Sequence, residues 1–93
     1  MTIDMARNTI LAELSKNSAE VILIQSSEFK NRKAIDIRTF YKTDIGEMGP
    51  TKKGINIPLA LYPAFKKALL EAEKEMVKNG IIDQEDLDEV VNE

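Results

Sequence analysis

The stretch FKNRKAIDIRTFYKTDIGEMGPTKKGINI, residues 29–57, stands apart from the rest of the chain. It carries seven of the thirteen Lys and Arg residues and three acids, a local charge of +4 (7 − 3), whereas the other residues carry six bases and thirteen acids. Three of the five aromatic residues, Phe29, Phe40 and Tyr41, lie in the same stretch. Cations that neutralise phosphates and aromatic rings that stack on bases together make a single-strand nucleic-acid interface. The stretch predicts such an interface, and an ordinary solvated sheet face is the alternative.

Composition narrows the remaining functions. A chain of 93 residues has the length of one domain with extensions. It contains no Cys and no His, which removes disulfides, Cys-based zinc sites and the commonest general base. The apolar run at residues 21–24 is far shorter than the ~20 residues of a membrane span, and the N-terminus lacks the apolar segment of a secretory signal. We expect a cytoplasmic or nucleoid-associated protein without membrane contact that is not an enzyme and uses no cofactor or metal.

Alternating and β-branched segments predict a small antiparallel sheet. Residues 20–26 are apolar and β-branched, as in a strand that has contacts on both faces. Residues 34–42 alternate, which places Ile35 and Ile37 towards the core and Arg38 and Phe40 on the opposite face. The short connection between these two strands favours a hairpin.

The next segment is divided by turn residues at Gly46, Gly49 and Pro50. It predicts two short strands, at residues 47–51 and 53–57, and the second adds Ile55 and Ile57 to the core.

Helical spacing is found at both ends of the chain. Residues 1–17 have Ile3, Ala6, Ile10 and Leu14 three or four positions apart, which predicts a helix. A longer apolar stripe predicts a helix from about residue 60 to a stop at residues 79–80, followed by a short acidic helix capped by Asp83. The expected class is α+β: a four-stranded antiparallel sheet, one long helix and short helical extensions at both ends. The expected divisions are an N-terminal extension at 1–18, a binding domain at 19–80 and an acidic C-terminal extension at 81–93.

Three other motifs do not fit their usual sites. The GXXG pattern at residues 46–49 lies between predicted strands, whereas the KH motif lies between helices. No GK[ST] follows it at Walker spacing. In the acidic segment Leu87 interrupts the ligand series that a calcium loop needs. That segment is a solvated helix face or, alternatively, a competitor of nucleic acid for the basic stretch.

The run FKNR at residues 29–32 and the run IDIR at 35–38 continue without a gap into Phe40-Tyr41, the GEM motif at 46–48, Pro50 and the KKGI motif at 52–55. Together they resemble the single-strand-binding domain of the transcriptional coactivator Positive Cofactor Four, in a prokaryotic- or phage-type member. The resemblance covers about residues 20–76. It implies a dimer of curved four-stranded sheets, each followed by a helix at the dimer interface.

The resemblance also implies residue roles. The nucleic-acid-binding residues would be Phe29, Lys30, Arg32, Arg38, Tyr41, Lys52 and Lys53. Tyr41 stands where the family usually has a stacking Trp, Asn31 replaces a Gly and Gly49 replaces a Lys. The dimer interface, which two apolar stripes on the long helix also favour, would include Leu61, Phe65, Leu69, Leu70, Met76 and Val77.

The expected function is sequence-tolerant binding of single-stranded DNA by a homodimer, in transcription regulation or in replication and repair. Residue patterns leave RNA open as the ligand, and the family adds the transcription machinery as a partner. The alternative is a protein-interaction or scaffold module that keeps the dimeric fold without binding nucleic acid.

Overall fold

The computed structural model describes residues 6–91, and it describes side chains for residues 8–88. The chain forms two units, a sheet unit that ends at Tyr62 and a helical unit that begins at Pro63. Each unit is described by itself below.

The sheet has four antiparallel strands in chain order: β1 (Ala6–Ser15), β2 (Glu20–Phe29), β3 (Arg32–Lys42) and β4 (Met48–Pro58). A 3-10 turn at Leu59–Leu61 follows β4, and the helices α1 (Tyr62–Lys78) and α2 (Gln84–Val91) complete the chain. The predicted class, a four-stranded antiparallel sheet followed by one long helix, is confirmed.

The first strand was predicted to be a helix, and this prediction is wrong for Ala6–Ser15; Ile3 lies outside the described residues. β1 pairs with β2 along its whole length, with a bulge between Ile10 and Ala12. The extra residue in the bulge reverses the side-chain alternation, so Ile10 and Leu14 lie on opposite faces of the sheet. Their spacing of four matches a helical turn, and the bulge removes the period of two that would have indicated a strand.

The two short strands predicted at residues 47–51 and 53–57 are a single strand, β4. Gly54 pairs with Arg38 and Pro50 pairs with Phe40, so three residues of β4 lie opposite the single residue Thr39 of β3. Residues 51–53, here named the lysine bulge, are therefore extra residues within one edge strand. The turn residues around them mark an irregular strand and not a chain reversal.

Strand pairing defines two faces of the sheet. The polar face carries Val21, Leu23, Gln25, Asp36, Arg38 and Phe40, and the isoleucine face carries Ile22, Ile24, Ile35, Ile37, Ile55 and Ile57. The placement of Arg38 and Phe40 opposite Ile35 and Ile37 is thus confirmed.

Burial is uneven between these faces. The most buried residues are Val21 and Leu23, each 1% exposed, on the polar face. Among the predicted core isoleucines Ile57 is buried, whereas Ile35 and Ile37 are half-buried. The prediction is wrong for Ile55, which is 50% exposed although Ile57, on the same face of the same strand, is buried.

In the helical unit, α1 ends as the sequence predicts. The Ile81 N–H donates to the Met76 carbonyl at 2.8 Å and the Gly80 N–H donates to the Val77 carbonyl at 3.1 Å, the two bonds of a Schellman motif. Before α2, the Asp83 N–H donates to Asp86 Oδ2 at 3.4 Å, which is one half of a capping box. Neither helix, over the residues described, is long and apolar enough to cross a membrane.

Candidate nucleic-acid interface

The hairpin between β2 and β3 gathers three of the predicted binding residues. Its turn is Lys30-Asn31, and both residues have positive φ, 52° and 65°, as in the type I′ turn that suits two-residue hairpins. Asn is common in this conformation and Lys is not. Phe29 pairs with Arg32 across the turn, and the Lys30 ammonium lies 5.2 Å from the centroid of the Phe29 ring. Phe29, Lys30 and Arg32, here named the hairpin tip, therefore join an exposed ring to two cations.

A pocket of about 400 Å³ opens beside the hairpin tip. It is lined by Ser27, Phe29, Arg32, Lys33, Ala34, Asn56 and Pro58. Phe29 is 45% exposed, so the residue is accessible from solvent beside this space.

The lysine bulge is tied to β3 through Thr51. The Thr51 hydroxyl donates to the Thr39 carbonyl at 2.7 Å, and the same oxygen accepts the Lys53 N–H at 3.1 Å. Next to the bulge, β4 comes so close to β3 that a Cβ atom at Gly54 would lie 2.7 Å from the Ile37 carbonyl oxygen. These contacts hold β4 against β3 at Thr51 and at Gly54. Lys52 and Lys53, between them, are both exposed.

Arg38, on the polar face, connects Asp36 to the first residue of the lysine bulge. Its Nε and Nη2 donate to the two oxygens of Asp36, each at 3.0 Å, and its Nη1 donates to the Thr51 carbonyl at 3.0 Å. Its side chain is 24% exposed. The sequence predicts a cation that faces nucleic acid; the structure shows a guanidinium already engaged with a carboxylate and with the backbone of β4.

Asp36 is the centre of this polar network. Burial alone would raise the pKa of its carboxyl, but hydrogen bonds from Arg38, Asn56 and Gln25 outweigh burial and place the pKa below the usual value for Asp. The same bond to Asp36 raises the pKa of Arg38. The pair is therefore charged at neutral pH, with 3.3 Å bonds to Asp36 from the amides of Gln25 and Asn56.

Sequence reasoning missed Gln25 and Asn56. A signal was present, because Gln25, Asp36 and Asn56 are polar residues inside segments with strand patterns. Their role becomes visible only with the register, which places them side by side on three adjacent strands.

Tyr41 lies near the opposite end of β3 from the hairpin tip. It pairs with Gly49 of β4, and a Cβ atom at Gly49 would overlap the Cζ and hydroxyl of the Tyr41 ring. The ring therefore lies across the backbone of Gly49, and 48% of the residue remains exposed.

Charge from the lysine bulge reaches this end of the sheet. Glu20, which pairs with Tyr41, has a pKa below the usual value, first because Asn17 donates a hydrogen bond to it. The charges of Lys16 and Lys53 lower the pKa of Glu20 further.

The predicted binding residues thus form two groups on one sheet. The hairpin tip is one, and Arg38, Lys52 and Lys53 around the lysine bulge are the other. Tyr41 lies three residues after Arg38 on β3 and therefore on the opposite face of the sheet. The bulge lies opposite Thr39, seven residues from Arg32, which corresponds to roughly 23 Å along β3. Over the described part of the chain, no group of three or more acidic side chains is placed to hold a metal ion.

Comparison with known families agrees with this fold. Residues 14–68 match the family described as Transcriptional Coactivator p15 (PC4), which is more than half of the chain. The chain belongs to the PC4 family, as the sequence predicts.

Solved structures with the same fold come from several sources. A PC4 homologue from Burkholderia pseudomallei is 26% identical with a TM-score of 0.67, over 73% of this chain and 92% of that protein. MoSub1, solved as a complex with DNA, is 32% identical with a TM-score of 0.56, over 78% of this chain and 86% of MoSub1.

A bacteriophage T5 homologue of PC4, implicated in recombination-dependent DNA replication, is 21% identical with a TM-score of 0.62, over 94% and 93% of the two chains. At this identity the likeness shows the fold alone. No match is found among proteins of curated function. The bacterial and phage homologues agree with the expected prokaryotic- or phage-type member.

Proposed function

We propose that this protein binds single-stranded DNA in a sequence-tolerant manner, as a homodimer. One observation carries the proposal: two rings, Phe29 and Tyr41, are exposed on a sheet that also carries the exposed Lys30, Lys52 and Lys53, in a chain whose net charge is −3. Exposed aromatic rings can stack on bases while cations on the same sheet neutralise phosphates, which is how single strands are bound without regard to sequence. Membership of the PC4 family and the DNA complex of the 32% identical MoSub1 support the same function.

The chemistry divides between rings and cations. Phe29 and Tyr41 stack on bases, which is sequence-tolerant because every base has a π-face. Phosphates are neutralised by Lys30, Arg32, Lys52 and Lys53. Arg38, beside the lysine bulge, is the fifth cation of the proposed interface. Bases in a duplex are already stacked on their neighbours and cannot lie on these rings, so single strands are the preferred ligand.

The proposed homodimer rests on apolar residues of α1 and of the 3-10 turn before it. No residue of α1 is buried, and Leu69 and Leu70 are 54% and 48% exposed. A second copy would cover the proposed interface, which comprises Leu61, Phe65, Leu69, Leu70, Met76 and Val77. Light scattering at several concentrations tests this directly, and a mass of 10.5 kDa at all of them contradicts the dimer.

Fluorescence anisotropy tests the binding. A labelled single strand should bind more tightly than a duplex of the same sequence, and log K should fall with log salt by about 0.7 for each phosphate neutralised. A DNA and an RNA oligonucleotide of equal sequence, measured side by side, identify the preferred sugar. Absence of binding at low salt, or equal binding to the duplex, would contradict the proposal.

The broader role that we propose is transcription regulation or replication and repair, in the cytoplasm or on the nucleoid, with the transcription machinery as a further partner and without enzymatic activity. A chain that dimerises but binds no oligonucleotide would instead be a protein-interaction module.

A further inference from the structure

Arg38 is the proposed contact residue with the fewest free donors. Its guanidinium gives three hydrogen bonds, two to Asp36 and one to the Thr51 carbonyl, all at 3.0 Å. The bidentate pair with a carboxylate fixes the plane of the guanidinium, so the direction of the third bond is fixed as well. Arg38 therefore holds the backbone of β4 at the first residue of the lysine bulge.

Thr51 passes this restraint to the lysines. Its carbonyl accepts from Arg38, and its hydroxyl bonds both to the Thr39 carbonyl and to the Lys53 N–H. A three-residue bulge has lost its ladder bonds to β3 and needs other bonds to keep one conformation. In this strand the bonds of Thr51 replace them, and each connects the bulge to β3 or closes it internally.

We propose that Arg38 is a positioning residue, which acts on nucleic acid by holding the lysine bulge in place through Thr51, with Asp36 as its anchor. The proposal rests on the proposed single-strand binding and changes the role of one residue within it. Lys52 and Lys53 supply the charge that phosphates meet. Arg38 supplies the geometry, and its own charge is balanced by Asp36.

A substitution without charge separates the two roles. Thr51→Val removes the hydroxyl bonds and leaves every cation in place, so it should lower the salt slope of oligonucleotide binding, by up to about 1.4 if both lysines lose their phosphates. Arg38→Lys keeps the charge but cannot reproduce the bidentate pair with Asp36 together with the bond to the Thr51 carbonyl. It should therefore weaken oligonucleotide binding as much as Arg38→Gln does. Thr43→Val is the matched control, because the Thr43 hydroxyl accepts the Glu47 N–H in the loop before β4 and that bond includes no residue of the lysine bulge.

A double-mutant cycle completes the test. If Arg38 acts through the bulge, Arg38→Gln should weaken binding in the natural sequence and change it by less than about twofold in a Lys52→Ala/Lys53→Ala background. Equal losses in both backgrounds, together with recovery of the salt slope by Arg38→Lys, would overturn the proposal and assign Arg38 a phosphate of its own. Thermal unfolding of each variant separates these effects from loss of the fold.

Hydrogen exchange without nucleic acid keeps this inference distinct from the proposed function. The Lys53 N–H bonds to Thr51 and Arg38 bonds to the Thr51 carbonyl, so faster exchange at Lys53 in Arg38→Gln reports a restraint passed through Thr51. Unchanged exchange at Lys53 overturns the proposed positioning role of Arg38 whether or not DNA binds. Faster exchange at Lys53 in a protein that binds no oligonucleotide would contradict the proposed function and still support the positioning role of Arg38.

Discussion

The ring of Tyr41 lies across Gly49, the residue that faces it on the neighbouring strand. No side chain fits at position 49 while the ring keeps this place, because even a Cβ atom would overlap it. An aromatic ring over a strand glycine protects the backbone that the glycine would leave bare. The pair also fixes the ring with one side against β4, so that only the other side is offered to a ligand.

Gly49→Ala should therefore displace the Tyr41 ring. We expect a loss of about 1–3 kcal/mol in the free energy of unfolding, the usual range for an added group in a filled space, and weaker oligonucleotide binding. Denaturant unfolding measures the first effect and anisotropy the second. In the double variant Gly49→Ala/Tyr41→Ala the overlap is gone, so the alanine at 49 should cost much less there; an equal cost in both backgrounds would contradict the packing described.

Loss of the Phe29 or the Tyr41 ring should weaken binding more than it weakens the fold. Phe29→Ala and Tyr41→Ala should each reduce the free energy of oligonucleotide binding by roughly 1–3 kcal/mol, the range for one stacked base. Tyr41→Phe keeps the stacking surface and is the control, with affinity close to that of the natural sequence. Unchanged affinity in Tyr41→Ala would show that this ring has only a structural role.

Lys30 occupies a backbone conformation, with φ of 52°, that favours Asn or Gly. Lys30→Asn should raise the free energy of unfolding, by up to about 1 kcal/mol, because Asn adopts this conformation with less strain. The same change should weaken oligonucleotide binding, because it removes the ammonium beside Phe29. Asn31→Gly relaxes the other turn position without loss of charge and should leave binding unchanged; if Lys30→Asn also leaves binding unchanged, Lys30 contacts no phosphate.

Asp36 should make stability depend on acid pH. Its folded-state pKa lies below the unfolded value of about 3.9, so its contribution is fully present above that pH and is lost as pH falls through the folded-state pKa. Thermal unfolding between pH 7 and pH 2 should show a fall in stability that begins near pH 4–5, to which Asp36 contributes. Asp36→Asn should be less stable than the natural sequence at pH 7, and the difference should shrink towards pH 2; a constant difference would contradict the role of this carboxylate.

Sequence alone reached the family, the sheet and the long helix because their signals are local. The IDIR and KKGI runs, the alternation around Ile35 and Ile37, and the stop at residues 79–80 can each be read within a few residues. The features that the sequence did not predict depend on how the strands pair. The bulge near Ile10 concealed β1, the bulge at residues 51–53 divided β4 into two segments, and the partners of Asp36 come from strands 11 and 20 positions away. Irregular register leaves no fixed period in the sequence, so these features appear only once the strands are aligned.

Strand β1 has a consequence for shortened versions of the protein. Ala6–Ser15 covers one side of β2 along its whole length, so removal of the first 18 residues would leave Glu20–Phe29 as the outer strand. The backbone N–H and C=O groups of β2 that bond to β1 would then be unpaired beside Ile22 and Ile24, and such an edge is a template for intermolecular strand pairing. A fragment of residues 19–80 should aggregate where the full chain stays dispersed, because the N-terminal segment shields the sheet from its own copies.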